Sequence, residues 1–147
     1  MARSIIGVIV GYVVMVILQV AAFMTLYAAM GTNWSFKPHS YQASTRWTLA
    51  QFLIIAITAI IAGVVCAMIA RGGRATMGLA IVVLILGIAA ALWKTTLHPP
   101  DKTALRLGSL SQVKAMNNAW HPTWVVFLGP FVGAAGVIIG GKLRKRS

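Results

Sequence analysis

Four long apolar stretches, none of which contains a charged residue, constrain this chain more than any other feature. They cover approximately residues 5–30, 49–70, 75–93 and 124–141. An α-helix needs about 20 apolar residues to cross the roughly 30 Å hydrocarbon core of a bilayer. Backbone polar groups find no water in that core, so a crossing segment must be a helix or a strand of a closed barrel. The stretches lack the alternation of barrel strands and therefore predict four transmembrane helices.

Composition also favours a membrane domain over a soluble one. Hydrophobic residues make up 59% of the 147-residue chain and charged residues 10%, whereas soluble domains carry about 25% charged residues. We therefore expect a single membrane domain over residues 1–147 with an all-α fold, a polytopic four-helix bundle. The first stretch exceeds the roughly 7–15 apolar residues of a signal-peptide core, so we expect it to be retained as a helix.

The distribution of Lys and Arg predicts the orientation. Four spans place both termini on one side, together with residues 71–74 and 142–146, and leave outer loops at 31–48 and 94–123. The basic residues beside the termini lie in very short segments, which the positive-inside rule weighs most heavily. We therefore expect both termini in the cytoplasm. The net charge of +12 then reflects topology and attraction to anionic lipid headgroups, and we expect no nucleic-acid partner.

The second outer loop predicts a short amphipathic helix between spans three and four. Ser109 and Gln112 form a capping box of the type S-x-x-Q. An apolar stripe follows at helical spacing, and Pro122 disfavours helix at the residue before it. We expect this helix to lie on the outer surface or to cover the bundle. The stripe consists of Leu107, Leu110, Val113, Met116 and Trp120.

Glycines recur at four-residue spacing in the first and last spans. Small residues at this spacing let helix backbones approach closely. The pattern predicts packing inside the bundle, and it also fits docking of the last span against a partner chain, so both interpretations stay open. The glycines are Gly7, Gly11, Gly129, Gly133, Gly136 and Gly140.

The tryptophans all fall at the predicted outer ends of the spans. The indole ring is apolar, but its N–H needs a polar partner, so Trp anchors helices at the level of the lipid headgroups. We expect such interfacial anchors at Trp34, Trp47, Trp93, Trp120 and Trp124.

Asp, Glu, Lys, Arg and His do not occur inside the predicted spans. Proton pumps, coupled transporters and voltage sensors carry such groups at membrane depth, so we expect none of these functions. Gln19 and Gln51 are the most notable polar residues in the spans, and Gln19 is expected to form an interhelical hydrogen bond. Cys66 lies in an apolar run and is expected to be structural.

His39, His98 and His121 are the candidate cofactor ligands, and all three fall on the predicted outer side. Imidazole binds zinc, copper and haem iron. However, the spacing matches no metal motif and Asp101 is the only acid, so we expect no metal site and no cofactor of the chain's own. One acid also excludes a carboxylate pair, and no nucleophile elbow, Walker loop or dinucleotide fingerprint occurs. We therefore expect no catalytic residues and no enzyme activity.

Three segments carry a resemblance to known proteins, namely residues 6–12, 66–71 and 133–144. Through them the chain resembles small, uncharacterised four-helix inner-membrane proteins of bacteria. The resemblance implies the topology and a bacterial inner membrane, and no activity comes with it.

The charge-free spans, the glycine steps and the small size together predict a non-catalytic accessory subunit of a larger inner-membrane complex of the respiratory or photosynthetic type. Its expected partners are membrane lipids and other membrane subunits. A second hypothesis is a site for a lipid, quinone or haem at the outer face, formed by the tryptophans, the surface helix and the histidines. A third hypothesis is a small transporter or channel.

Overall fold

The chain forms an all-α bundle, as the apolar stretches predict. The structure, a computed structural model, describes residues 1–71, 73–97, 99, 101, 105 and 119–146. Four of the helices are long and apolar enough to cross a membrane, which confirms the predicted class of fold. The surface helix predicted between spans three and four falls on residues outside this description. The elements in chain order are α1 (Ala2–Met30), α2 (Thr32–Ser35), α3 (Thr45–Ala70), α4 (Gly73–Leu92), a π-helical turn (Trp93–Leu97) and α5 (Thr123–Arg146).

The bundle has two different ends. Gly7 of α1 lies against Ala70 at the end of α3, and Lys145 of α5 lies over Gly73 at the start of α4. These residues define the terminal end, which also carries both chain termini. The loop end consists of residues 31–44, the π-helical turn and residues 119–122.

Several helices extend beyond the apolar stretches that predict them. The helix α3 begins at Thr45 because Ser44 caps it, with the Ser44 Oγ accepting a hydrogen bond from the Trp47 N–H at 3.1 Å. The helix α5 continues through the basic tail to Arg146. At the loop end, α4 passes into the π-helical turn, so Lys94 belongs to a helix rather than to the predicted loop.

The most extensive helix interface joins α3 and α5. A β carbon at Gly136 would lie 2.8 Å from the Ala59 Cβ, and Gly63 lies directly against the main-chain carbonyl of Val137. Small residues on both helices therefore allow the two backbones to touch. The helix α1 packs on α3 in the same way, because a β carbon at Gly11 would lie 3.1 Å from the Cys66 Cβ.

The buried core is small and consists of short side chains. Its fully buried members include Ala59, Cys66, Leu79 and Val137. Large apolar side chains cover the outside of the four long helices, which is the arrangement expected where lipid replaces water as the solvent. The helix α1 has the least protein cover, since only 17% of its most apolar window is buried against 33–39% for the other three.

The two loop segments of the loop end are tied together by main-chain hydrogen bonds. The Ala43 N–H donates to the Trp120 carbonyl at 3.0 Å, and the Trp120 N–H donates to the Tyr41 carbonyl at 3.1 Å. Ser44 adds a bond from its Oγ to the Trp34 carbonyl at 2.6 Å. The residues that precede α5 are therefore held above the ends of α1 and α3.

Candidate functional site

Two cavities, defined by the described residues, lie mainly in the loop-end half of the bundle. The deep cavity has a volume of about 350 Å³ and is lined by α1, α3, α4 and α5. It extends from His121 at the loop end to Met15 and Gly133 in the interior. The aromatic cavity has a volume of about 270 Å³ and lies beside α1 and the start of α3. Small-molecule sites typically have volumes of about 300–1,000 Å³, so the deep cavity is large enough for a small ligand.

Three polar residues line both cavities and form the wall between them, which we call the shared wall. They are Gln51, Lys94 and His121. Gln51 lies in α3, Lys94 in the π-helical turn and His121 just before α5. The remaining lining is largely apolar or aromatic. The cavities therefore combine an apolar body with one polar cluster, the usual composition of a small-molecule site.

Two polar atoms of the shared wall are buried and unpaired. The Gln51 Oε1 and the His121 Nδ1 have no hydrogen-bond partner within the described part of the chain. An unsatisfied buried polar atom costs about 1–3 kcal/mol, and native proteins contain few of them. A bound water or ligand group beside either atom would satisfy it.

His121 is a neutral imidazole at neutral pH. Burial lowers the pKa of His121 from 6.5 to about 4, and the positive charge of nearby Lys94 acts in the same direction. A neutral imidazole carries one N–H donor and one acceptor nitrogen. His121 therefore offers the cavities a polar group without a charge.

The interior end of the deep cavity is formed where Gly133 of α5 lies next to Met15 of α1 and Val83 of α4. A β carbon at Gly133 would lie 3.4 Å from the Met15 Cε and 3.2 Å from the Val83 Cγ1. One turn closer to the loop end, a β carbon at Gly129 would meet only the Ile55 Cδ1, at 3.7 Å. Gly129 thus borders the deep cavity with space for a β carbon, whereas Gly133 lines the cavity and is also in close contact with Val83.

The ring of Trp47 forms one side of the aromatic cavity. It lies 6.1 Å from the Phe23 ring, and the Tyr27 and Trp34 rings approach it edge-on at 6.2 Å each. The Tyr27 hydroxyl shares a 2.8 Å hydrogen bond with the Thr32 Oγ1. This cluster orders the start of α3 next to Gln51.

The structure places the three candidate histidines differently. His121 lines both cavities, whereas His39 is exposed in a turn with a positive φ of 55°. His98 lies outside the described residues. No group of metal-binding side chains occurs among the residues that the structure describes.

The glycines and tryptophans named from the sequence also divide into groups. Gly7, Gly11, Gly136 and Gly140 lie in helix interfaces within the bundle, and Gly129 and Gly133 line the deep cavity. Trp93 and Trp124 are exposed at the loop end, where the bundle would meet lipid headgroups. The other three, Trp34, Trp47 and Trp120, are half-buried.

Two polar residues have roles that the sequence did not indicate. Gln19 lines the deep cavity, and the hydrogen bond between helices that was expected of it does not occur among the described residues. Lys94 directly follows the third apolar stretch, and its charge therefore predicted that a loop begins at this residue. The helix continues through Thr95 and Thr96, which follow Lys94. The Thr95 hydroxyl donates to the Ala91 carbonyl at 2.8 Å, and the Thr96 hydroxyl donates to the Leu92 carbonyl at 2.6 Å.

No protein-family model, curated protein or solved structure matches this chain. Its function has to be inferred from the geometry of the cavities.

Proposed function

We propose that this membrane protein binds one small amphipathic molecule taken from the bilayer. The polar headgroup lies at the shared wall of Gln51, Lys94 and His121, and the apolar part occupies the deep cavity. The observation that carries the proposal is the position of two unpaired buried polar atoms, the Gln51 Oε1 and His121 Nδ1, between two largely apolar cavities.

The shape of the deep cavity supports an elongated ligand. Its lining includes His121 at the loop end and Tyr12 in the first half of α1. Side chains such as Met15, Ile55 and Val83 provide apolar contact along it. The apolar part of a ligand in this cavity gives up contacts with lipid and gains contacts with the protein. Its headgroup forms hydrogen bonds with the unpaired polar atoms of the shared wall.

The proposed setting is a bacterial inner membrane with both termini in the cytoplasm. Supporting this orientation, the terminal end carries Arg3, Arg71, Arg74 and the basic end of α5 in short segments. The cavities then lie mainly in the outer half of the membrane, and the ligand has access to them from the outer leaflet.

Native mass spectrometry of the full chain in a mild detergent tests the proposal. We expect the wild type to carry one small molecule per chain and the double variant Gln51→Leu/His121→Leu to lose it. The variant His39→Leu is the matched control, because His39 is exposed and lines neither cavity. A wild-type protein that carries no small molecule, and takes none up from a membrane lipid extract, would overturn the proposal.

A second candidate function is that of an accessory subunit in a larger membrane complex. The low burial of α1 favours it, since residues such as Ile9, Val13 and Ile17 form an apolar face without protein cover. Extraction of the native membrane in mild detergent, with a tag on the chain, tests this candidate. A complex recovered in fixed ratio supports it, and recovery of the chain alone contradicts it.

A further inference from the structure

The charges around the two cavities are unbalanced. Lys94 is the only residue with a formal charge at neutral pH among the described residues that line them, since His121 is neutral and the rest are uncharged. The chain has a single acid, Asp101, which is exposed and is not one of these lining residues. The described lining of the cavities therefore carries one positive charge without a matching negative charge.

Lys94 has no ion-pair partner within the part of the chain that the structure describes. It lies in the last helical turns of a span. A charge beside apolar surface is energetically costly, and an opposite charge nearby reduces that cost. The residue is exposed while it lines both cavities, so the shared wall is open on this side. A ligand from the bilayer can bring the missing negative charge to this position.

The other two groups of the shared wall are compatible with an anion. The neutral imidazole of His121 provides one N–H donor, and the Gln51 amide provides two N–H donors when its end is turned by half a rotation. No carboxylate among the described lining residues would repel a negative headgroup. The wall can thus surround one headgroup with a cation and neutral donors.

Resting on the proposed function above, we infer that the ligand is a single-chain amphiphile with a monoanionic carboxylate headgroup, which pairs with Lys94. One cation balances one negative charge, whereas a phosphate monoester carries about 1.5 to 2 negative charges at neutral pH. A neutral headgroup, such as a quinone or an ester, would leave Lys94 without an opposite charge.

The test compares stearate with methyl stearate, which have the same acyl chain but differ in headgroup charge. Binding of each to the full chain in detergent is measured by native mass spectrometry at a pH where the carboxyl is ionised. We expect stearate to bind about tenfold more tightly than the ester, as one charge-assisted hydrogen bond implies. The variant Lys94→Gln should remove this preference, and Lys94→Arg should retain it. Lys37→Gln is the control, because Lys37 is exposed and lines neither cavity.

The outcomes separate this inference from the proposed function. If both probes bind equally to the wild type and to Lys94→Gln, the cavity binds amphiphiles but the inference is wrong. If neither probe binds, and no other bilayer molecule does, the proposed function fails as well. Tighter binding of a single-chain phosphate monoester than of stearate would overturn the choice of a carboxylate.

Discussion

Gly63 of α3 lies so close to the main-chain carbonyl of Val137 in α5 that a β carbon has no space between them. The relationship is reciprocal at the same helix crossing, where Gly140 of α5 lies against the carbonyl of Ile60 in α3. We expect Gly63→Ala and Gly140→Ala each to lower the free energy of unfolding by about 1–3 kcal/mol, because backbone atoms cannot move aside as a side chain would. Thermal unfolding in detergent, followed by circular dichroism, measures the loss.

A matched control is Gly78→Ala in α4. A β carbon there meets only the Val8 Cγ2, at 3.7 Å, which is an ordinary contact. Alanine favours a helix over glycine by up to about 1 kcal/mol, so this variant should match or exceed the wild type in stability. If all three variants lost stability to the same extent, close backbone contact would not be the cause.

Ser44 connects the first loop to the start of α3 and provides a second prediction. Its Oγ accepts from the Trp47 N–H and donates to the Trp34 carbonyl. We expect Ser44→Ala to lower the free energy of unfolding by about 1–2 kcal/mol, the usual cost of losing an N-cap. Thermal unfolding in detergent measures this loss as well. Ser40→Ala is the control, since the Ser40 Oγ accepts from the Gln42 N–H outside any helix, and an equal loss for both would contradict the capping role.

The four spans were predictable from the sequence because length and apolarity alone decide whether a segment can cross a bilayer. Their ends were harder to predict, since they depend on particular contacts. A charge at Lys94 indicated a loop, but the lysine stem can lie along apolar surface while its ammonium stays outside. The hydroxyls of Thr95 and Thr96 satisfy carbonyls of the preceding turn and support the π-helical turn.

The candidate site was only partly visible in the sequence. Four-residue spacing shows that Gly129, Gly133 and Gly136 share one side of α5, but it does not show what lies opposite. Gly136 faces Ala59, whereas Gly129 faces a cavity, and the difference arises from the positions of α1 and α3. His121 was named as a cofactor candidate, but its burial depends on two loops joined by main-chain bonds, which no local pattern indicates.

Gly129 allows the deep cavity to be narrowed without disturbing the bundle. A β carbon at this position meets only the Ile55 Cδ1, at 3.7 Å, and points to open space in the deep cavity. We expect Gly129→Ala to keep wild-type thermal stability and to weaken stearate binding several-fold, because the added methyl group occupies ligand volume. Gly78→Ala, with an equally long contact outside the cavity, should leave binding unchanged. Equal binding by both variants would place the acyl chain elsewhere.

His121 should make the stability of the bundle sensitive to acid. Burial, aided by the charge of Lys94, lowers the pKa of His121 to about 4 in the folded chain, against about 6.5 in an unfolded one. The unfolded chain therefore takes up the proton first as the pH falls. The stability contributed by neutral His121 is fully present above about pH 6.5 and is lost as the pH falls through about 4. The loss approaches about 3 kcal/mol when both states are protonated.

Thermal unfolding of the wild type and of His121→Asn over this pH range measures the effect. The wild type should lose stability steadily with acid, while His121→Asn should show a flatter dependence, because asparagine does not titrate. His39→Asn should follow the wild type, since His39 is exposed. Among the described lining residues, the other titratable side chains are Lys94, Tyr12 and Tyr27, and all remain in the His121→Asn variant. Parallel curves for the wild type and His121→Asn would therefore show that His121 is not the group responsible, and that its imidazole is open to water.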